Sequence, residues 1–296
     1  VTGDDYRARL LNDYGSIEAV RVWSGADLDP PEYGRVYIAA KPTSGLRMSA
    51  AEKYRIQKEL IKTRSVIGVQ PVIVDPDYLT VLLDCSVTYD PRQTVRTEDQ
   101  VVTVVKNAIA NYSSTTLNKF DEIYRNSVLT REIDNSETSI KNSTTEVTMM
   151  RSFAVRAGTF ADYRIDFSNP FHHPHAGHQS ILRSDLFNIP GFTNVELFDL
   201  DGTIFLRRGI GSKNKGTTQF PRAAVGRISY TEGIVDLQLT VTGTVGLAST
   251  LRLYANPESS DLSGARTIIT TIDTTNSVIR MIKETDIIES KRVGSY

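Results

Sequence analysis

Two stretches past the midpoint of the chain have residue types and spacing that could do chemistry. In VELFDLDGTI (Val195–Ile204) an apolar run leads into two aspartates one residue apart and then Gly-Thr. Carboxylates so placed could serve as nucleophile (Asp199) and general acid/base (Asp201) in a magnesium-dependent phosphatase. The same residues spell a β-hairpin, with Asp201-Gly202 as the two-residue turn and TIFLRR as the returning strand. Context favours the hairpin. Only the last third of the chain follows Thr203, it alternates as antiparallel strand, and no later acidic pair completes a metal site.

The second stretch is FHHPHAGH (Phe171–His178), which holds all four histidines of the chain, His172, His173, His175 and His178. Imidazoles at this spacing can ligate zinc, nickel or iron, and His173 with His175 could share one ion. No cysteine, and no acid nearer than Asp166 or Asp185, completes a ligand set. Pro174 and Gly177 point to a loop, so the expectation is a loop without metal, no cofactor and no catalytic residue.

Two charged loops are better suited to touching a neighbour than to catalysis. Gly209–Gly216 (GIGSKNKG) is basic, with Arg207 and Arg208 beside it and Lys213 and Lys215 within it. It lacks the spacing and the following helix of a phosphate-binding loop. The segment between the first two strands carries Asp27, Asp29 and Glu32 around Pro30 and Pro31. These seven charges are the candidate partner contacts.

The chain of 296 residues has 34 Lys and Arg against 35 Asp and Glu, so it carries no global electrostatic footprint for nucleic acid. A single cysteine, Cys85, precludes an internal disulfide framework, and its apolar setting (VLLDCSV) suits a buried thiol. No apolar run reaches the ~18 residues of a membrane span. Neither a membrane nor a small-molecule substrate is expected as a partner.

The elements that must position these residues read as α+β. A helix is expected over Asp4–Tyr14, then strands Ser16–Trp23 and Arg35–Lys41. Ser49 and Glu52 have capping-box spacing at the head of a basic helix that Gly68 ends. Val69–Asp75 and Tyr78–Tyr89 read as a second strand pair around Asp75-Pro76-Asp77. Thr97 with Gln100 opens another capped helix, and a third is expected over Leu117–Leu129. The expected division is an α+β part over 1–134, a polar connector over 135–145 and a mainly antiparallel β part over 146–296. Strands there are expected at Glu146–Val155, Tyr163–Phe167, Val195–Asp199, Thr203–Arg208, Ala223–Tyr230, Ile234–Thr242, Thr250–Tyr254 and Thr267–Asp273. The tail, Ser277–Lys291, could be strand or helix.

Four blocks together resemble a known family: TGDDYRARLLNDYGSIEAVRVWSG (Thr2–Gly25), PPEYGRVYIAAKP (Pro30–Pro42), the capped helix, and VIVDPDYLTVLLDCSVTYDP (Val72–Pro91). They are similar to the baseplate J-like family of contractile-tail bacteriophages, and within it to the ring-forming baseplate wedge subunits of large myoviruses. The resemblance implies a structural protein of the virion tail baseplate, assembled in the host cytoplasm, with no catalytic residues. It implies self-association as a homodimer or higher ring, and contacts to other wedge proteins and tail components. The wedges so joined would encircle the tail tube, with interfaces taking part in assembly and contraction. It also implies a long portion preceding Val1, so that the chain is a C-terminal fragment. Tyr6, Trp23 and Phe171 are the apolar residues expected at interface edges. The alternative from another class is a carbohydrate- or receptor-binding β module.

Overall fold

In the computed structural model, residues 2–28, 30–64, 69–173, 180–214, 220–221, 223–246, 249–264 and 267–284 are described. Two compact units divide the chain. The first comprises Val1–Tyr78, Thr116–Glu122 and Gly264–Thr270; the second comprises Leu79–Thr115, Ile123–Ser263 and Thr271–Tyr296.

The first unit opens with α1 (Gly3–Asp13). Thr2 caps it: its hydroxyl accepts the Asp5 N–H at 3.3 Å, and the Asp5 carboxylate accepts the Thr2 N–H at 2.8 Å. β1 (Ile17–Ser24) and β2 (Arg35–Pro42) pair antiparallel from Ile17↔Pro42 to Ser24↔Val36, where strands are expected from the sequence. α2 (Ala50–Arg64) then carries the chain to β3 (Gln70–Val74), which pairs parallel with β2 from Arg35↔Gln70 to Ala39↔Val74. The sheet order is β1-β2-β3. Tyr6, Leu10, Ile38, Ala40, Ile56 and Leu60 form the heart of its core, because α1 and α2 turn their apolar sides to the sheet.

β3 therefore does not pair with the strand that follows it, contrary to the reading of a hairpin around Asp75-Pro76-Asp77. A parallel join needs a crossover, and α2 supplies one. The capping box at α2 is half formed. Ser49 Oγ accepts the Glu52 N–H at 3.2 Å, while the Glu52 carboxylate is taken by Ser16 Oγ at 2.8 Å.

β4 (Asp77–Tyr89) leads into the second unit, whose helices are α3 (Glu98–Tyr112) and α4 (Asn126–Asp134). Its strands continue as β5 (Ile140–Ala154), β6 (Phe160–Asp166), β7 (Leu182–Ser184), β8 (Phe187–Ile189), β9 (Phe192–Leu200) and β10 (Thr203–Asn214). They end with β11 (Gly226–Ser229), β12 (Ile234–Thr240), β13 (Gly243–Thr244), β14 (Thr250–Ala255) and, after β15 (Ile268–Ile272), which begins in the first unit and ends in the second, β16 (Val278–Lys283). One path of neighbours runs β4-β5-β14-β7-β9-β10-β11-β12-β6, so β6 is its terminal strand. The fold is α+β, with a mainly antiparallel β part.

In β4 every second side chain is buried, from Leu79 through Cys85 to Tyr89. Burial pushes the Cys85 thiol pKa up, as suits an inert core group. Thr97 caps α3, its N–H donated to the Gln100 side chain at 3.0 Å.

Two sequence expectations are corrected here, and one left open is decided. The third helix is Asn126–Asp134 rather than Leu117–Leu129, because Asp121 adopts φ 66°, incompatible with a right-handed helix, and Tyr124 is held in a bridge to Leu262. The polar run read as connector is strand from Ile140 onward, its Ser and Thr residues registered against β4 as Cys85↔Thr145 and Val87↔Ser143. The tail enters β16, parallel to β4; the tail residues beyond 284 lie outside the described residues.

Candidate interaction surfaces

The two aspartates of FDLDGT have opposite fates. Asp201 and Gly202, at φ 49° and 78°, form the turn of the β9–β10 hairpin, where Thr203 pairs with Leu200. Asp199 is fully buried. One carboxylate oxygen accepts Ser180 Oγ at 2.9 Å and the N–H groups of Ile181 and Leu182 at 2.8 Å each. The other accepts the Tyr230 hydroxyl at 2.8 Å, and that hydroxyl accepts the Gly202 N–H at 3.0 Å. Burial, then the bond to Asp199, pushes the Tyr230 pKa up to about 12. A carboxylate with both oxygens engaged and no exposure offers no nucleophile to a phosphate ester. It ties the 180–182 segment and Tyr230 to the hairpin.

Of the histidines, His172 donates its backbone N–H to the Asn256 carbonyl at 2.9 Å, and the His173 ring lies 5.2 Å from the Tyr230 ring. His175 and His178 lie outside the described residues. Among the described residues, no group of three or more His, Cys, Asp or Glu side chains could hold a metal ion.

The acidic loop is pinned from inside. Glu32 accepts Arg35 Nη1 and the Tyr37 hydroxyl, each at 2.6 Å. The Tyr37 bond, with Arg35 behind it, holds the Glu32 carboxyl below the usual range. Gly25 lets the loop close: a Cβ there would meet the Glu32 carbonyl oxygen at 2.2 Å. Asp27 is exposed in the short turn Gly25–Asp27, whereas Asp29 lies outside the described residues. Tyr33, 83 % exposed, projects beside them.

In the basic segment, Arg207 pairs with Glu196 at 2.8 Å and lies over the Phe198 ring. Arg208 lies 5.4 Å from the Phe192 centroid and 5.3 Å from that of Phe220. The β9–β10 register shifts between Arg208 and Lys213, and this bulge thrusts out Ile210, 92 % exposed. Lys213 is exposed; Lys215 lies outside the described residues. The acidic and basic charges lie in different units, and within each loop the structure separates those held internally (Glu32, Arg207, Arg208) from those facing solvent (Asp27, Lys213).

Tyr6 and Phe171, expected at interface edges, are core residues, and Trp23 is half-buried, stacked on Tyr37. A surface that the reading of candidate residues passed over is the outer face of β6. There Phe160, Asp162, Arg164 and Asp166 alternate with inward Ala161 and Ile165. The alternation was visible in the sequence; the terminal position of the strand was not.

Comparison with known proteins agrees with this architecture. Residues 2–74 match the family described as baseplate structural protein gp6, C-terminal domain I, and residues 77–152 match its C-terminal domain III. The break between the matches falls where β3 ends at Val74 and β4 begins at Asp77. Baseplate wedge protein gp6 of Enterobacteria phage T4 is 26% identical over 152 residues, 51% of this chain and 22% of that protein. The chain thus matches less than a quarter of that relative's length. With two consecutive domains of one protein matched in order, residues 2–152 of the chain are the C-terminal part of a baseplate wedge protein of the gp6 family.

Proposed function

We propose that this chain is a structural component of a phage tail baseplate. It self-associates, joins neighbouring wedges into a ring around the tail tube, and binds other wedge proteins. The observation that carries this reading is the consecutive match to gp6 C-terminal domains I and III, aligned with the break between β3 and β4. Its work is assembly: interfaces of standard size or larger recur in every copy, and some hold while others rearrange on contraction. The proposed location is the virion tail, with assembly in the host cytoplasm.

Internal engagement of the charged residues supports this reading. Asp199, Glu32, Arg207 and Arg208 stabilise loops and hairpins, leaving rigid modules with short exposed tips. Asp27 and Lys213, exposed on those tips, are the proposed contact charges, together with Asp29 and Lys215.

Co-expression with the other wedge proteins of the same phage, followed by size exclusion and light scattering, tests the proposal. Stoichiometric complexes are the expected result. A chain that stays monomeric, elutes apart from every wedge protein and binds glycans on an array would overturn it in favour of a carbohydrate-binding module.

A further inference from the structure

β6 is an unusual sheet edge. It pairs with β12 from Asp166↔Ile234 to Phe160↔Thr240, and no strand lies on its other side among the described residues. The Phe167 N–H donates to the Gly233 carbonyl at 2.9 Å, which sets the phase of the ladder. Alternation then turns the N–H and C=O groups of 165, 163 and 161 toward β12, and those of 160, 162, 164 and 166 outward. The outward groups are those an added strand would use.

The side chains on this edge complement themselves. Read against its own reverse about Tyr163, the strand FADYRID sets Asp162 opposite Arg164, Arg164 opposite Asp162, and Ala161 opposite Ile165. The outward residues 162 and 164 fall in register as hydrogen-bonded pairs, so backbone and charge agree on one alignment. Moving the centre one residue to Asp162 sets Asp162 against itself, and moving it to Arg164 sets Asp162 against Asp166. Both slips oppose like charges. Arg164 already reaches Asp236 on β12 at 3.4 Å, and both side chains are more than half exposed. A partner's carboxylate can therefore approach the open side of the guanidinium.

We infer that β6 is a self-recognition edge: two copies of this chain join through antiparallel β6–β6 pairing about a two-fold axis at Tyr163, locked by reciprocal Asp162–Arg164 pairs. The contact is isologous, so it closes on two copies and leaves other surfaces for ring neighbours. This inference rests on the proposed self-association and assigns it a surface.

The test uses two single variants and their mixture. Asp162→Arg sets arginine against arginine at both reciprocal positions, and Arg164→Asp sets aspartate against aspartate. By sedimentation velocity each is expected to self-associate roughly tenfold or more weakly than wild type, with an unchanged circular dichroism spectrum. Mixed in equal amounts, the two regain complementarity at both positions, and a one-to-one heterodimer is expected. As a second probe, Asp162→Pro removes an outward N–H without touching the β12 ladder and is expected to abolish pairing. A wild type that dimerises as tightly as all three variants would overturn the β6 assignment and leave self-association standing. A wild type monomeric at every attainable concentration would overturn the assignment too, while wedge-protein binding is tested separately by co-elution.

Discussion

The β9–β10 hairpin and the β6 edge carry charge of the same kind to opposite ends. In the hairpin, Asp199 is enclosed by Ser180, Ile181, Leu182 and Tyr230, so its carboxylate contributes to stability. In β6, Asp162 and Arg164 stand on an exposed face whose backbone also points outward. A charged motif that resembles chemistry proves to be internal support, and an ordinary alternating strand has the better claim to recognition. What separates them is enclosure: Asp199 is fully buried with both oxygens engaged, whereas Arg164, though it reaches Asp236, stays more than half exposed.

Substitutions can break this contrast from either side. The largest effect is expected at Asp199→Ala, which strands two buried N–H groups and two hydroxyls and should cost about 3–5 kcal/mol in urea unfolding. Self-association of the molecules that remain folded should not change. Asp201→Ala, in the turn at positive φ, should cost only about 1 kcal/mol. Next comes Arg164→Asp, with the reverse profile: a small change in unfolding and loss of self-association.

A pH series gives a third, smaller signal. The Tyr230 pKa is raised from 10.0 to about 12, so its bond to Asp199 contributes fully below pH 10 and is lost as pH rises toward 12. Stability should fall across that window, and less steeply in Tyr230→Phe. The smallest effect is expected from Asp27→Asn with Lys213→Gln. Their stability should stay within about 0.5 kcal/mol of wild type, while co-elution with wedge proteins weakens. Unaltered complexes would remove these tips from the assembly surface.

Local signals were legible in the sequence where the structure is local. The strands Ile17–Ser24 and Arg35–Pro42, the Thr97–Gln100 cap and the Asp201-Gly202 turn are each specified by neighbouring residues. Long-range choices were not legible. β3 prefers β2 across α2 to the strand adjacent in sequence. The Ser/Thr-rich start of β5 is polar in composition, yet Thr145 is buried against Cys85. The outer surface of β6 exists only because β12, with Asp236 placed 72 residues after Arg164, covers its other edge. Sequence could supply the self-complementary pattern but not the open side on which it acts.

Covalent trapping at the two-fold axis tests the central claim most directly. In the inferred pairing, Tyr163 faces its own copy as a non-hydrogen-bonded pair with Cα atoms about 4.5 Å apart, within disulfide range. Cys85 is buried, so a Tyr163→Cys chain presents one reactive thiol. Mild oxidation should yield a disulfide-linked dimer from Tyr163→Cys. Ala161→Cys should give none, since its two copies lie about 13 Å apart along the antiparallel strands. Equal trapping at both positions, or none at Tyr163→Cys while the chain self-associates, would contradict pairing through β6.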